Sequence, residues 1–178
     1  MRLDEFNTAD AAVAASVVGV WAAIPAWVDA IIVGRPYGSV DALAARAAAL
    51  ASEWGRAELD AALAHHPRIG QRPAGAGAEA AASRREQAAM TDAAGAVTAA
   101  IAAGNAAYEE RFGRVFLIRA AGRSPEEILA ELERRLGNDG ETEVAEAVGQ
   151  LAEIALLRLR GSVTESPTTD PSSGRIAP

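Results

Sequence analysis

Alanine sets the terms for this chain. Runs such as "VDALAARAAALASEW" at 40–54 and "AAGAVTAAIAAGNAAYEERFG" at 93–113 consist largely of the residue with the highest helix propensity and little bulk. Half of the 178 residues are hydrophobic, yet only 4% are aromatic. A core built from such material closes only if helix backbones approach one another closely. At this length one domain is large enough to bury that core.

Helix punctuation follows the same logic. Asn7 or Thr8 is a possible cap for a first helix near 8–19. Pro25 can open and Gly34 can close a second, with Trp27 and Ile31 four apart on one face. Ser39 caps "VDALAARAAALASEW", where Val40, Leu43, Ala47 and Leu50 recur at helical spacing. "RAELDAALA" is a short helix, and "GAEAAASRREQAAMTDAAG" returns to helix after a Gly/Pro-rich loop. A long helix should end at Gly113, followed by "RVFLIRAAG", which reads as a strand or an extended core segment. Ser124, Pro125 and Glu127 form a capping-box pattern, and "GETEVAEAVGQLAEIALLRLR" is a last long helix. The expectation is a single all-α domain of seven to nine helices over 1–160. A Ser/Thr/Pro-rich tail over 161–178 cannot bury a core and is expected to be disordered.

Charge and composition exclude several classes. No apolar run reaches the length of a membrane span, and the polar start "MRLDEFNTAD" is unlike a signal peptide, so a cytoplasmic protein is expected. With no cysteine, disulfides, thiol nucleophiles and the usual structural zinc sites are out. The net charge of −7 argues against nucleic-acid binding. All 17 basic residues are arginine, and only the middle of the chain is positive, with eight Arg against five acids in 66–123. Arginine forks grip carboxylates and planar anions, so an anionic ligand belongs there.

Three features carry chemistry. "AHHPRIGQRPAGAG" at 64–77 holds both histidines. Adjacent residues seldom face one ligand and there is no third histidine, which disfavours a metal site. Pro67 pushes His66 out of helical geometry, making it the candidate for acid–base work, while His65 fits a helix end. "SRREQ" at 83–87 places Ser83, Glu86 and Gln87 on one helix face, with Arg84 and Arg85 off it. "RFGRVFLIRAAGRS" at 111–124 offers backbone N–H and C=O groups that no helix consumes. Taken singly, a turn histidine, an exposed polar face and a buried connection are the better explanations of the three.

In this order and spacing, "HPRIG … SRREQ … RFGRVFLIRAAGRS … EIALLRL" resembles the 2-oxo-4-hydroxy-4-carboxy-5-ureidoimidazoline (OHCU) decarboxylases of urate degradation, from about residue 6 to residue 160. The Arg35-Pro36-Tyr37 turn, Asn105, Tyr108 and "ERRLGND" also fit. The resemblance implies an all-α homodimer that decarboxylates an anionic ureidoimidazoline to (S)-allantoin without a cofactor. It aligns His66 with the family's proton donor and Glu86 with the glutamate that anchors the substrate. It aligns Pro67, Ser83, Arg84, Arg85, Gln87, Phe116, Leu117, Ile118, Arg119 and Ala120 with substrate-contacting stretches, and Arg158 with an arginine near the site, expected to attract the anion. Two departures stand out: Arg68 replaces an acid found in many members, and Arg119 interrupts a usually apolar segment. The alternative is a helical partner-binding or regulatory module whose Arg-rich middle docks an acidic protein.

Overall fold

The structure, a computed structural model, describes residues 1–64, 68–70, 77–87 and 95–166. Among these residues the fold is all-α. Its helices are α1 (Leu3–Thr8), α2 (Ala11–Trp21), α3 (Pro25–Val33), α4 (Val40–Ala51), α5 (Arg56–Leu63), α6 (Ala78–Glu86), α7 (Gly95–Phe112), α8 (Pro125–Arg135) and α9 (Gly140–Ser162). None of them is long and apolar enough to cross a membrane.

Two cores share the molecule. In the larger, α2, α4 and α5 pack on α9, and α3 bridges α2 and α4. Close approach there rests on buried alanines: Ala14, Ala44, Ala47, Ala62, Ala147 and Ala155. Scarce aromatics are concentrated rather than spread. Phe6, Trp21, Trp27 and Trp54 form a chain of ring contacts at 5.3–6.4 Å through this core. The smaller core lies between α7 and α8 and contains Ile101, Tyr108, Ile128 and Leu132. Gly104 permits that pairing, because a β-carbon there would sit 2.6 Å from Leu132 Cδ2.

Residues 115–120 join the two cores in extended form. Leu117 is buried in the larger core and Val115 packs against it, while Phe116, Ile118 and Ala120 enter the smaller one. This two-residue alternation is that of an extended chain, and no strand pairs with it among the described residues. Gly113, at φ 69°, closes α7 and turns the chain into the segment.

Several sequence expectations are met in detail. Pro25 opens α3, Ser39 Oγ caps α4 through the Ala42 N–H, and Ser124 with Glu127 forms the capping box of α8. Three others are corrected. The helix expected near 8–19 is α2, which starts at Ala11 with Asp10 at its N-cap, and the short α1, ending at Thr8, precedes it. Asn7 caps neither; its amide exchanges two hydrogen bonds with the Tyr37 backbone at 2.8 and 2.9 Å. The helix carrying "SRREQ" ends at Glu86 with Gln87 as its C-cap, and 88–94 lie outside the described residues. At the carboxyl end, Gly161 and Ser162 complete α9 rather than belonging to the tail. The Thr164 backbone pairs with Met1 and Leu3, and Glu165 accepts from the Val40 N–H, so the folded unit extends to 166. Residues 167–178 lie outside the described residues.

Candidate functional site

Helix α6 carries one polar face toward α9. Ser83 is 2% exposed, and Glu86, one turn further on, meets Arg158 of α9 in a two-point fork, Nε to Oε1 at 2.6 Å and Nη2 to Oε2 at 2.9 Å. The same Nη2 donates to Ser83 Oγ at 3.2 Å, and Nη1 donates to the Val20 carbonyl of α2 at 3.1 Å. The Arg158 side chain is only 4% exposed. Three helices therefore converge on one guanidinium, which sets the direction of the Glu86 carboxylate.

Against this pair lies a tight recess of about 20 Å³ lined by Ser83, Glu86, Gln87, Ile69, Ile154 and the segment Phe116, Leu117, Ile118 and Ala120. The ion pair also lines a wider, mainly apolar pocket of about 590 Å³ between α2, α6 and α9. The larger space is lined mainly by apolar residues such as Val17, Val20 and Leu157, with Ser16, Arg85 and Ser162 beside the ion pair. Donors and acceptors of opposite kinds converge at the smaller recess, which is the better candidate.

The short stretch after the His66-Pro67 motif is tied down residue by residue. Arg68 forms a two-point ion pair with Glu109 of α7, the second contact at 2.6 Å. The Ile69 carbonyl accepts from Asn105 Nδ2 at 2.9 Å, and the Gly70 N–H donates to Gln87 Oε1 at 2.9 Å. The Arg68 guanidinium holds the Glu109 carboxyl below the usual carboxylate range, and Glu109 in turn raises Arg68. Arg68, one of the two departures from the resemblance, thus has a structural partner in Glu109.

The structure brings together Ser83, Glu86, Gln87, Phe116, Leu117, Ile118, Ala120 and Arg158. His66 and Pro67, with His65, lie outside the described residues. Arg84 is half-buried, and Arg85 is exposed and lines the wider pocket, so neither joins the recess. Arg119 turns its side chain to Glu153 and to the Ala121 carbonyl, and its N–H is taken by Gln150. Arg158 is engaged by Glu86 instead of standing open to an anion, so its observed work is orientation.

Other buried residues near the site were given no role from the sequence, although Tyr108 and the "ERRLGND" stretch that contains Arg135 belong to the family pattern. Arg135 and Glu143 form an ion pair with both side chains 1% exposed, and Arg135 Nη1 donates to the Leu117 carbonyl at 2.8 Å. Tyr108 donates to Glu143, and burial together with that carboxylate pushes its phenol well above the usual range. A signal was present: Arg135 continues the Ile128–Leu132 face of α8, and Glu143 and Arg158 bracket the Ala147–Leu151–Ile154 stripe of α9. A charge on an apolar stripe marks a buried pair.

Comparison with known proteins places this geometry in context. A family model described as OHCU decarboxylase matches residues 7–160. A 2-oxo-4-hydroxy-4-carboxy-5-ureidoimidazoline decarboxylase from Amia calva is 42% identical over 65 residues, 36% of this chain and 37% of that protein. The alignment thus spans little more than a third of that relative's length. A crystal structure of OHCU decarboxylase in the presence of (S)-allantoin superposes with a TM-score of 0.70 at 20% identity, covering 82% of this chain and 96% of the other. A crystal structure of (S)-allantoin synthase gives 0.66 at 18% identity, covering 92% and 54%. At such identities the two structures speak for the fold.

Proposed function

The chain belongs to the OHCU decarboxylase family, and from that premise we propose that it converts 2-oxo-4-hydroxy-4-carboxy-5-ureidoimidazoline to (S)-allantoin and CO₂ without a cofactor. The observation that carries this reading is the Glu86–Arg158–Ser83 cluster facing the 116–120 segment. It assembles from three distant stretches the residues that the family resemblance singles out.

The chemistry is self-consistent. Breaking the C–CO₂⁻ bond leaves an electron pair that the substrate's own conjugated C=N system accepts, and a proton must then arrive on one face. His66 is the proposed donor, since imidazole titrates near neutrality. Glu86 is an acceptor held by Arg158 and suits the ureido and ring N–H groups. Gln87 has its oxygen taken by Gly70, which leaves its amide N–H groups to donate to a carbonyl. Such complementary contacts hold the scissile bond perpendicular to the conjugated plane. Arg158 spends its fork on Glu86, which avoids a ground-state clamp on the departing carboxylate.

The experiment is to hydrolyse 5-hydroxyisourate to fresh OHCU, add the protein, and follow CO₂ release against the spontaneous rate. Acceleration proportional to protein supports the proposal, and an unchanged rate refutes it. A homodimer is part of the same reading, and sedimentation velocity at micromolar concentration distinguishes it from a monomer.

A further inference from the structure

We propose that the buried Arg135–Glu143 pair is a positioning device for the site: it fixes and polarises the Leu117–Ile118 peptide so that the Ile118 N–H becomes the recess's strongest backbone donor. The ligand's identity rests on the decarboxylase reading; the device itself does not.

Arg135 is completely buried, its guanidinium lies 4.7 Å from the Phe116 ring centroid, and Nε meets Glu143 Oε1 at 3.0 Å. Glu143 is further held by the Tyr108 hydroxyl and by Asn138 Nδ2 at 2.8 Å. Stability alone gives little reason for this, since taking two charges out of water is costly and well-packed apolar residues often serve as well. What the pair achieves is to aim one cationic N–H at the Leu117 carbonyl, 2.8 Å away.

Peptide geometry gives that contact its consequence. The Leu117–Ile118 peptide is not among the cis bonds of the described residues, so it is trans and planar. Its N–H points opposite to its C=O, away from Arg135. In the next peptide the Arg119 N–H donates to Gln150 Oε1 at 2.9 Å, so the Ile118 C=O points away from Gln150. Neither backbone group of Ile118 has a hydrogen-bond partner among the described residues, and Ile118 lines the recess beside Glu86 and Gln87. A charge-assisted bond to a carbonyl draws electron density through the amide and strengthens its N–H as a donor. Such a donor suits a ligand carbonyl oxygen that gains negative charge as a bond to CO₂ breaks.

Leu117–Ile118 is the sole Leu–Ile step in the chain. Protein labelled with carbonyl-13C leucine and 15N isoleucine therefore gives one backbone correlation for this peptide. In R135M/E143Q, which keeps an acceptor for Tyr108 and is checked for folding by circular dichroism, the carbonyl carbon and amide proton are expected upfield of wild type. The kcat/KM for OHCU should fall at least tenfold, mainly through kcat, and Arg135→Lys should recover part of both effects. An unmoved correlation, or unchanged kcat/KM in a folded variant, overturns the proposal. Titrating (S)-allantoin into the wild type needs no variant: the Ile118 proton should move downfield, and binding seen elsewhere with Ile118 unmoved also overturns it. Failure of the wild type to decarboxylate OHCU would sink the functional reading instead, leaving the ligand-free correlation to decide the device.

Discussion

Arg158 ties α9 to α2 and α6. Its guanidinium satisfies Glu86, Ser83 and the Val20 carbonyl at once while 4% exposed. Removing one partner of a buried ion pair costs about 3–5 kcal/mol because the other charge stays buried and unpaired. Arg134 also touches two carboxylates, Glu131 and Glu146, but is half exposed, and such pairs contribute about 0–1 kcal/mol. Arg158→Ala should therefore lower the urea midpoint markedly and Arg134→Ala barely; equal losses would contradict the difference in burial. For the proposed chemistry, His66→Asn should abolish OHCU turnover with the fold intact, and His65→Ala should be mild. Kinetics of the two variants check this, and a crippling effect at His65 would move the proton donor to the wrong neighbour.

Among the elements, α7 and α8 matter because they frame the extended segment. Their contact depends on Gly104, where a β-carbon would fall 2.6 Å from Leu132 Cδ2 and 3.1 Å from Cγ. Gly104→Ala gains helix propensity but overpacks the contact, which costs about 1–3 kcal/mol. Thermal unfolding should show a net loss of stability, and a stabilised variant would mean that Leu132 swings aside freely. Much at this scale was legible. Pro25, Ser39 and the Ser124–Glu127 box act on their own backbone neighbours, so adjacent residues suffice to locate them. Asn7 was misread because its partner, Tyr37, lies thirty positions away. "RVFLIRAAG" was legible as an extended core segment but not as a join between two cores, since that depends on which helices flank it. Arg135, quoted only within "ERRLGND", was given no role for a related reason: its worth comes from Glu143 and the Leu117 carbonyl, contacts made only once α8 and α9 pack.

The whole molecule should be sensitive to acid in a predictable sense. Glu109, Glu131 and Glu146 are all held below the ordinary glutamate value of 4.5, each with an arginine hydrogen bond as the leading cause. Asp139 is held below 3.8 by the Thr142 backbone N–H it caps. A depressed carboxylate stabilises the fold at pH above its unfolded value, and that contribution is lost as pH falls through the folded value. Denaturation midpoints should hold steady from neutrality to about pH 5 and decline below about pH 4.5; a midpoint rising toward pH 3 would reverse the sign. At this scale the ordered motifs were legible as a family pattern, and the structure adds the depth at which each residue sits. Glu86 and Arg158 became partners, while Arg85 and Arg119 turned elsewhere. The proposed chemistry ends with His66 protonating one face of the decarboxylated ureidoimidazoline held at this recess. Circular dichroism of the product formed from fresh OHCU reads that step: the signal of (S)-allantoin should grow in proportion to protein, and optically inactive product at the spontaneous rate would refute the proposal.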